Sequence, residues 1–373
     1  MTAIENLARH GFDDHPLVKA FRRDRVLHDR FQSTLDLVAE RIQYGEQQSM
    51  TVVIGPTAGG KTALCEEFGY QFELAMNTMP EVQRTSLLAM ELAAPEHGTF
   101  KWTNDFYIPA LSALNEPCAT KKINIEQLRE RLVQGQTNAL FASRPKTIPE
   151  WRNVFYAALD RAKAIGAIFD EANHLRRPTT GNGVFGKYDS LKSRSDACKT
   201  HFVLVGTIEV ADIFKQSGPI SKRVYPLWLG PYPPNEKLLF GGAVVSITEK
   251  LPIKITFTVE GKLTQLYEGT FGLFGLVHDW FDRALIRAIA KGKSSITWAD
   301  MEATALHPWQ LSGIAADLIK FREVETGVNV YLAEQRKTLL LPPAKPASND
   351  SRTPAAQTAK PFQRKPARDP VAP

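Results

Sequence analysis

Short apolar runs alternate along the chain with longer stretches in which apolar residues recur at helical intervals. The runs occupy residues 50–55, 86–93, 164–170 and 201–207, and each is typical of a buried strand. Strands that alternate with helices predict an α/β fold whose mostly parallel sheet is covered on both faces.

Helical periodicity dominates both flanks of this alternating region. Apolar residues recur at helical intervals over residues 16–44, and most segments from residue 235 onward are helical, with Thr297 placed to cap a helix that carries Asp300 in its first turn. We therefore predict four regions, which are a helical N-terminal segment (1–45), an α/β domain (46–232), a small helical domain with C-terminal helices (233–341) and a basic tail (342–373).

Positive charge concentrates in the tail and in one N-terminal run. The formal net charge is +6, and from residue 342 the chain holds six basic and two acidic side chains, eight prolines and one aromatic residue. Such a composition cannot bury a core and predicts disorder. The run KAFRRDRVLHDR at 19–30 is either a basic patch for DNA or a solvated helix face of mixed charge.

Several classes of protein are disfavoured by what the sequence lacks. It has no run of 18 or more apolar residues, and its first residues lack the basic and then apolar order of a signal peptide. Its three cysteines have no metal-ligand spacing and indicate neither a disulfide framework nor a zinc site. We expect a cytoplasmic protein with no membrane partner.

A phosphate-binding motif joins the first strand to a helix. The segment GPTAGGKT fits the pattern G-x-x-x-x-G-K-[ST]. Its glycines let the backbone fold around phosphate, and the helix start favours an anion. Lys61 is expected to reach the β and γ phosphates of ATP, and Thr62 to offer its hydroxyl to Mg²⁺. A chance match is the alternative, against which the strand-loop-helix context counts. The predicted ATP-binding residues are Gly55, Pro56, Thr57, Ala58, Gly59, Gly60, Lys61 and Thr62.

An acidic pair ends the third apolar run. Asp170 would lie at the carboxyl edge of the sheet, where it can hold the water shell of Mg²⁺. Glu171 would orient and polarise a water for attack on the γ-phosphate. An Asp-Glu pair after a strand is also a common helix N-cap. Together with an upstream phosphate-binding loop, it indicates a hydrolase.

Two further polar residues are candidates for catalysis. Thr207 follows the fourth apolar run and could touch the attacking water or the γ-phosphate, although a hydroxyl that only closes a strand end is the alternative. Arg223 could neutralise transition-state charge at the ATP of a neighbouring subunit, as an arginine finger. A surface arginine without a catalytic part is the competing interpretation.

The order of these motifs resembles a known family. The segments GPTAGGKT, IFDEANHL, VLVGTIE and SKRV are similar to motifs of AAA+ ATPases. AMELAAPEHGTF, EKLPIKI and the Gly-x-x-Gly helix in GTFGLFGLVHDWFDRALIRAIAKGKSSITWADM resemble the TnsC/TniB family of transposition regulators, with MuB more distant. The resemblance covers roughly residues 15–310 and implies a P-loop AAA+ core with a helical N-terminal segment and a small helical lid.

This resemblance also implies partners. It implies an ATPase that polymerises on double-stranded DNA without sequence specificity, as a ring or a helical filament, and that connects a target-selector protein to a transposase. Such contacts to DNA phosphates would be strongly salt-dependent. The lid departs from the family pattern because it lacks an arginine at the start of the Gly-x-x-Gly helix. The DNA contacts implied here are Lys101, Thr103, Lys121 and Lys122.

Other functions also use a phosphate-binding loop. A kinase or other phosphotransferase would add an acceptor pocket and would have less use for Asp170 and Glu171. A nucleotide switch or adaptor would bind ATP with little hydrolysis. An origin-binding or helicase-loading AAA+ protein commonly adds a winged-helix domain, for which residues 305–341 are too short. Assembly that requires both ATP and DNA would favour the transposition hypothesis over the kinase.

Overall fold

The structure is a computed structural model that describes residues 15–45, 49–95, 98–122, 125–135, 145–176, 199–215 and 223–340. The chain divides into two units, Met1–Glu325 and Thr326–Pro373. Residues 326–340 of the second unit are helical, and the predicted tail, 342–373, lies outside the described residues.

Five parallel strands form the central sheet in the order β2-β3-β4-β1-β5, so the predicted α/β fold is confirmed. Because all of them run in one direction, their carboxyl ends meet at one edge. The strands are β1 (Met50–Ile54), β2 (Ser86–Glu91), β3 (Ala164–Asp170), β4 (His201–Gly206) and β5 (Val224–Trp228).

The fifth strand is absent from the sequence-based prediction. Its residues include Pro226, which has no backbone N–H to donate to a neighbouring strand. Among the described strands, β5 pairs only with β1 and therefore lies at the edge of the sheet, where a proline is tolerated.

Helices cover both faces of this sheet and form a separate cluster after it. In the described residues the α-helices are α1 (Pro16–Arg23), α2 (Asp29–Tyr44), α3 (Lys61–Asn77), α4 (Ile108–Ala113), α5 (Ile125–Val133), α6 (Ile148–Arg161), α7 (Lys237–Lys250), α8 (Val259–Glu268), α9 (Phe274–Ala290), α10 (Trp298–Glu302) and α11 (Pro308–Leu340). No described helix is both long and apolar enough to span a bilayer.

The described part of the N-terminal segment, residues 15–45, contains two helices rather than the single helix predicted over 16–44. An extended stretch of five residues separates α1 from α2. Within it, Val26 is buried among the residues that pack α7 and α9, and Lys250 donates a hydrogen bond to Asp24 (2.9 Å). Val26 is apolar because it packs in a different core from the apolar residues of α2. The sequence therefore shows no interruption of the apolar spacing at the break between the two helices.

A six-residue π-helix, Trp102–Tyr107, leads into α4. Phe106 and Tyr107 are consecutive, yet both side chains are buried. The ring centroid of Phe106 lies 5.0 Å from that of Phe169 in β3. This packing fixes the segment that follows β2 against the core of the sheet.

The lid, as the region from α7 to α10 is called below, has its own core. Trp280 and Phe281 of α9 are buried there, and the Trp280 indole donates a hydrogen bond to the Met301 carbonyl (2.7 Å). Two strands of two residues each, Lys254–Ile255 and Ser295–Ile296, pair in parallel. Two residues are too few to show a recurring pattern of apolar positions, so these strands are not predicted from the sequence.

The predicted cap at Thr297 is confirmed as a capping box. The Thr297 hydroxyl accepts a hydrogen bond from the Asp300 N–H, and the Asp300 carboxylate accepts one from the Thr297 N–H (3.1 Å). That carboxylate is buried and also accepts two hydrogen bonds from Lys293 (2.7 and 2.8 Å). The hydrogen bonds from Lys293 and Thr297 hold the pKa of Asp300 well below its usual range.

We expect Asp300→Ala to lower the free energy of unfolding by about 3 kcal/mol, because it removes a cap and the buried partner of a cation. Urea unfolding at pH 7 measures the change. Glu302→Gln, on the exposed side of the same helix, is the control and should change stability by less than about 0.5 kcal/mol. Equal stability of both variants would contradict the prediction.

Candidate functional site

The phosphate-binding loop connects β1 to α3 at the carboxyl edge of the sheet. Ala58 (φ 59°) and Gly60 (φ 88°) both have left-handed backbones, which turn the loop back toward the helix start at Lys61. A Cβ atom at Gly59 would lie 3.0 Å from the Pro56 carbonyl oxygen. The loop therefore has the compact form that its glycines predict.

The Lys61 side chain lies inside this loop. It is buried, and its Nζ donates a hydrogen bond to the Pro56 carbonyl (2.8 Å). Burial lowers the pKa of Lys61, and the nearby carboxylates of Glu171 and Asp170 oppose that shift. The structure thus places one cation where an incoming phosphate would find a hydrogen-bond donor.

Thr62 and Asp170 meet although they belong to different strand-loop units. The Thr62 hydroxyl donates a hydrogen bond to Asp170 Oδ2 (2.7 Å), and Asp170 Oδ1 accepts one from the Glu171 N–H (2.8 Å). The contact forms because Ile54 and Asp170 end parallel strands on the two sides of β4. A hydroxyl and a carboxylate in this position suit a hard cation such as Mg²⁺.

Glu171 and Thr207 face the same cavity as the phosphate-binding loop. Glu171 has a left-handed backbone (φ 52°), and one of its carboxylate oxygens accepts a hydrogen bond from the Asn173 amide (3.1 Å). Thr207 follows β4 and donates its hydroxyl hydrogen to Glu209. Both residues are thus at the cavity, as expected for groups that would contact a water beside the γ-phosphate.

The cavity has a volume of about 570 Å³, which is within the range of small-molecule sites. Its floor is the loop from Thr57 to Ala63. Its walls come from the stretch between α1 and α2 and from the start of α9, including His28, Phe274 and Gly275. The volume and the cationic, hydroxyl-bearing floor fit a nucleoside triphosphate.

Comparison with known proteins agrees with this geometry. Residues 43–214 match the family model described as an AAA domain. The fold is that of a P-loop AAA+ core. The structure is similar to that of the ORC2 protein of Aeropyrum pernix in its ADP form, with a TM-score of 0.50 and 12% identity over 77% of this chain and 71% of that chain.

A second structure of the same protein, described as ADPNP-ADP complexes, has a TM-score of 0.50 and 12% identity over 79% of this chain and 73% of that chain. At such identity the similarity concerns the fold alone. No curated protein sequence matches the chain. The resemblance to the TnsC/TniB family stays a prediction.

The basic run at 19–30 attaches the N-terminal segment to the AAA+ core and the lid. Arg22 forms an ion pair with Asp282 of α9 (2.8 Å), and Arg30 forms one with Glu236 (2.7 Å). Arg25 pairs with Glu66 of α3 and donates a hydrogen bond to the Ala63 carbonyl (3.0 Å). These three cations therefore have intramolecular partners. Neither interpretation made from the sequence, a basic patch for DNA or a solvated helix face, includes these ion pairs.

The wall residues of the cavity were not among the predicted site residues. Burial, together with the nearby Arg30, lowers the pKa of His28 to about 4, so its imidazole is neutral at pH 7 and shares a hydrogen bond with the Tyr232 hydroxyl (2.8 Å). Gly275 belongs to the Gly-x-x-Gly pattern of the lid helix and His28 to the basic run at 19–30, but neither pattern predicts a position at this cavity.

Arg223 lies far from this cavity in its own chain. It directly precedes β5, and its carbonyl accepts a hydrogen bond from the Met50 N–H at the start of β1 (2.8 Å). This is the amino edge of the sheet, whereas the phosphate-binding loop follows the carboxyl end of β1. The structure therefore does not bring Arg223 to the ATP-binding residues of the same chain.

The four candidate DNA contacts have different environments. Lys101 is exposed, and Thr103 is half-buried in the π-helix. Lys122 donates a hydrogen bond to Glu116 (2.7 Å), which also pairs with Arg161. Lys121 ends a short 3-10 helix, and its side chain lies outside the described residues.

Gly275 allows the lid to contact the phosphate-binding loop directly. A Cβ atom at this position would lie 2.3 Å from the Ala58 carbonyl oxygen, which is closer than any Cβ contact allows. We expect Gly275→Ala to weaken ATP binding by about 10-fold or more, because the loop or the lid must shift by the width of a methyl group.

Titration with a fluorescent ATP analogue measures this effect. Gly242→Ala is the matched control, since a Cβ there would meet no atom within 4 Å, and its affinity should equal that of the wild type. Unchanged affinity in Gly275→Ala would show that the lid does not constrain the loop.

Proposed function

We propose that the chain hydrolyses ATP and acts as an oligomer on DNA. The observation that carries the ATPase part is the hydrogen bond (2.7 Å) between Thr62 and Asp170, directly beside buried Lys61. A cation, a hydroxyl and a carboxylate at one end of a cavity of this size suit a magnesium nucleotide better than an uncharged ligand.

The phosphate end of ATP would lie on the floor of the cavity. Lys61 would exchange its hydrogen bond to Pro56 for one to the β and γ phosphates. Thr62 and Asp170 would hold Mg²⁺, Thr62 directly and Asp170 through the water shell. Bound Mg²⁺ would draw electron density from the γ-phosphate and favour attack on phosphorus.

The base and ribose would lie between the stretch after α1 and the lid. The ORC2 structures to which the chain is similar hold ADP and ADPNP, as their descriptions state, and we extend this ligand class to the present cavity. Neutral His28 and the ring of Phe274 offer a largely apolar surface for an adenine.

Glu171 is the proposed residue that orients the attacking water. It faces the cavity and has a carboxylate oxygen, Oε1, to which no hydrogen bond is donated within the described part of the chain. An ionised carboxylate in this place can accept a proton from water during attack. Thr207 would touch the same water or the γ-phosphate.

Arg223 is proposed to act on a neighbouring copy of the chain. Its position at the amino edge of the sheet excludes contact with its own phosphate-binding loop but leaves it available to a second copy that packs head to tail. Such a contact is heterologous, and it closes into a ring or continues as a filament. ATP would then lie between subunits.

The role on DNA is the part of the proposal that rests on sequence resemblance. By analogy with the TnsC/TniB regulators, the oligomer would surround or coat double-stranded DNA and connect a target selector to a transposase. Lys101 lies directly before the π-helix and is the most accessible of the proposed phosphate contacts whose side chains are described. The other proposed contacts are Thr103, Lys121 and Lys122.

We also propose the boundaries 1–45, 46–232, 233–341 and 342–373 for the regions of the chain.

Glu171→Gln should bind ATP with wild-type affinity but hydrolyse it at least about 100-fold more slowly, because the amide cannot accept the proton. We expect this variant to stay assembled on DNA, whereas the wild type disassembles as ATP is consumed. Phosphate release and negative-stain microscopy, with and without ATP and a duplex of unrelated sequence, measure both effects.

Lys61→Ala is the control for this experiment and should lose ATP binding and assembly together. Monomers of the wild type under every condition would contradict the oligomer on DNA and would favour a kinase or a switch. Rapid disassembly of Glu171→Gln in ATP would contradict the role of Glu171.

Mixing of two inactive variants tests whether Arg223 acts between subunits. Arg223→Ala and Glu171→Gln should each be nearly inactive, whereas a 1:1 mixture should recover about a quarter of wild-type hydrolysis, since one interface in four then has both residues. Lys199→Ala, an exposed cation just before β4, is the control and should keep full activity. A mixture without recovery would argue against this role.

A further inference from the structure

Asn173 lies between the ends of β3 and β4, in the short 3-10 helix Ala172–Arg176. Its amide Nδ2 donates a hydrogen bond to Glu171 Oε2 (3.1 Å). Its other amide atom, Oδ1, is buried and has no hydrogen-bond partner among the described residues. A buried acceptor without a partner gives up the hydrogen bonds it would have in water, so the orientation of this amide needs a cause.

That cause is the carboxylate of Glu171. An ionised carboxylate only accepts hydrogen bonds, so only the NH₂ group of Asn173 can face it. The reverse orientation would place Oδ1 against the carboxylate and add repulsion. The Asn173 amide therefore keeps its hydrogen bond to Glu171, and its own Oδ1 is left without a hydrogen-bond partner among the described residues.

Backbone geometry on both sides supports this contact. Glu171 is left-handed (φ 52°), and its N–H is held by Asp170 Oδ1 (2.8 Å). A Cβ atom at Gly206 would lie 2.5 Å from Val210 Cγ2, 3.0 Å from Asn173 Oδ1 and 3.2 Å from the Asn173 backbone nitrogen. The missing side chain of Gly206 thus leaves space for both Val210 and Asn173.

We propose that Asn173 is a positioning residue for ATP hydrolysis. By holding Oε2 of Glu171, it fixes the rotation of the carboxylate so that Oε1 faces the cavity and the attacking water. The inference rests on the proposed function, in which Glu171 orients that water. Asn173 does not line the cavity and needs no contact with nucleotide.

Three substitutions of Asn173 separate positioning from structure. Asn173→Ala removes the donor, and Asn173→Asp keeps the size but replaces the donor with a second carboxylate. Both should lower kcat for ATP hydrolysis about 10-fold or more, while KM and the affinity for a non-hydrolysable ATP analogue stay within about 2-fold. Asn173→Gln, which keeps an amide donor, should recover part of the lost kcat.

A double variant tests whether the effect passes through Glu171. In single-turnover measurements, Asn173→Ala should add little to the loss already caused by Glu171→Gln, because residues that act as a unit are not additive. Asn77→Ala, exposed at the end of α3, is the control and should match the wild type. Thermal unfolding of each variant identifies any that fails to fold, and Asn173→Asp then replaces Asn173→Ala in the comparison.

The outcomes separate this inference from the proposed function. If Glu171→Gln hydrolyses ATP at the wild-type rate, the role of Glu171 itself is wrong. If Glu171→Gln is impaired but kcat of Asn173→Ala or Asn173→Asp equals that of the wild type, only the role of Asn173 is overturned. A rise in KM together with the fall in kcat, or full additivity in the double variant, would also overturn it.

Discussion

The parallel pairing of β3, β4 and β1 is the constraint on which the rest of the site depends. It brings the carboxyl ends of three strands to one edge, although the residues there are widely separated in sequence. Thr62 and Asp170 are 108 positions apart, yet their side chains share a hydrogen bond. Because the strands are buried on both faces, a slip of one residue would turn each apolar side chain toward the opposite face, where it would not fit the existing packing.

Most of the residues at the carboxyl edge of the sheet could be predicted from the sequence, because their signals are local. The phosphate-binding loop and the Asp-Glu pair each follow a continuous apolar run, and the structure places both at the expected edge. The edge strand β5 was missed because Pro226 breaks the usual strand pattern. The break between α1 and α2 was missed because Val26 continues the apolar spacing while packing in another core.

The walls of the cavity could not be predicted for a different physical reason. They depend on tertiary contacts between the N-terminal segment, α3 and the lid, and no short motif encodes those contacts. The run at 19–30 shows this, because its charge is visible in the sequence whereas its partners, Asp282, Glu66 and Glu236, are distant. Asn173 differs from these residues, since it lies only two positions after Glu171, yet the hydrogen bond between the two side chains becomes apparent only in the structure.

The close approach of Gly275 to Ala58 has a consequence for how the two parts of the molecule can move. With no side chain between the backbone of α9 and the phosphate-binding loop, there is no soft layer to absorb a displacement. A rotation of the lid by even a few degrees would change the curvature of the loop that receives phosphate. Conversely, a phosphate bound in the loop would restrict the movement of the lid. The position of the outer surface of the lid would then depend on whether the cavity is occupied.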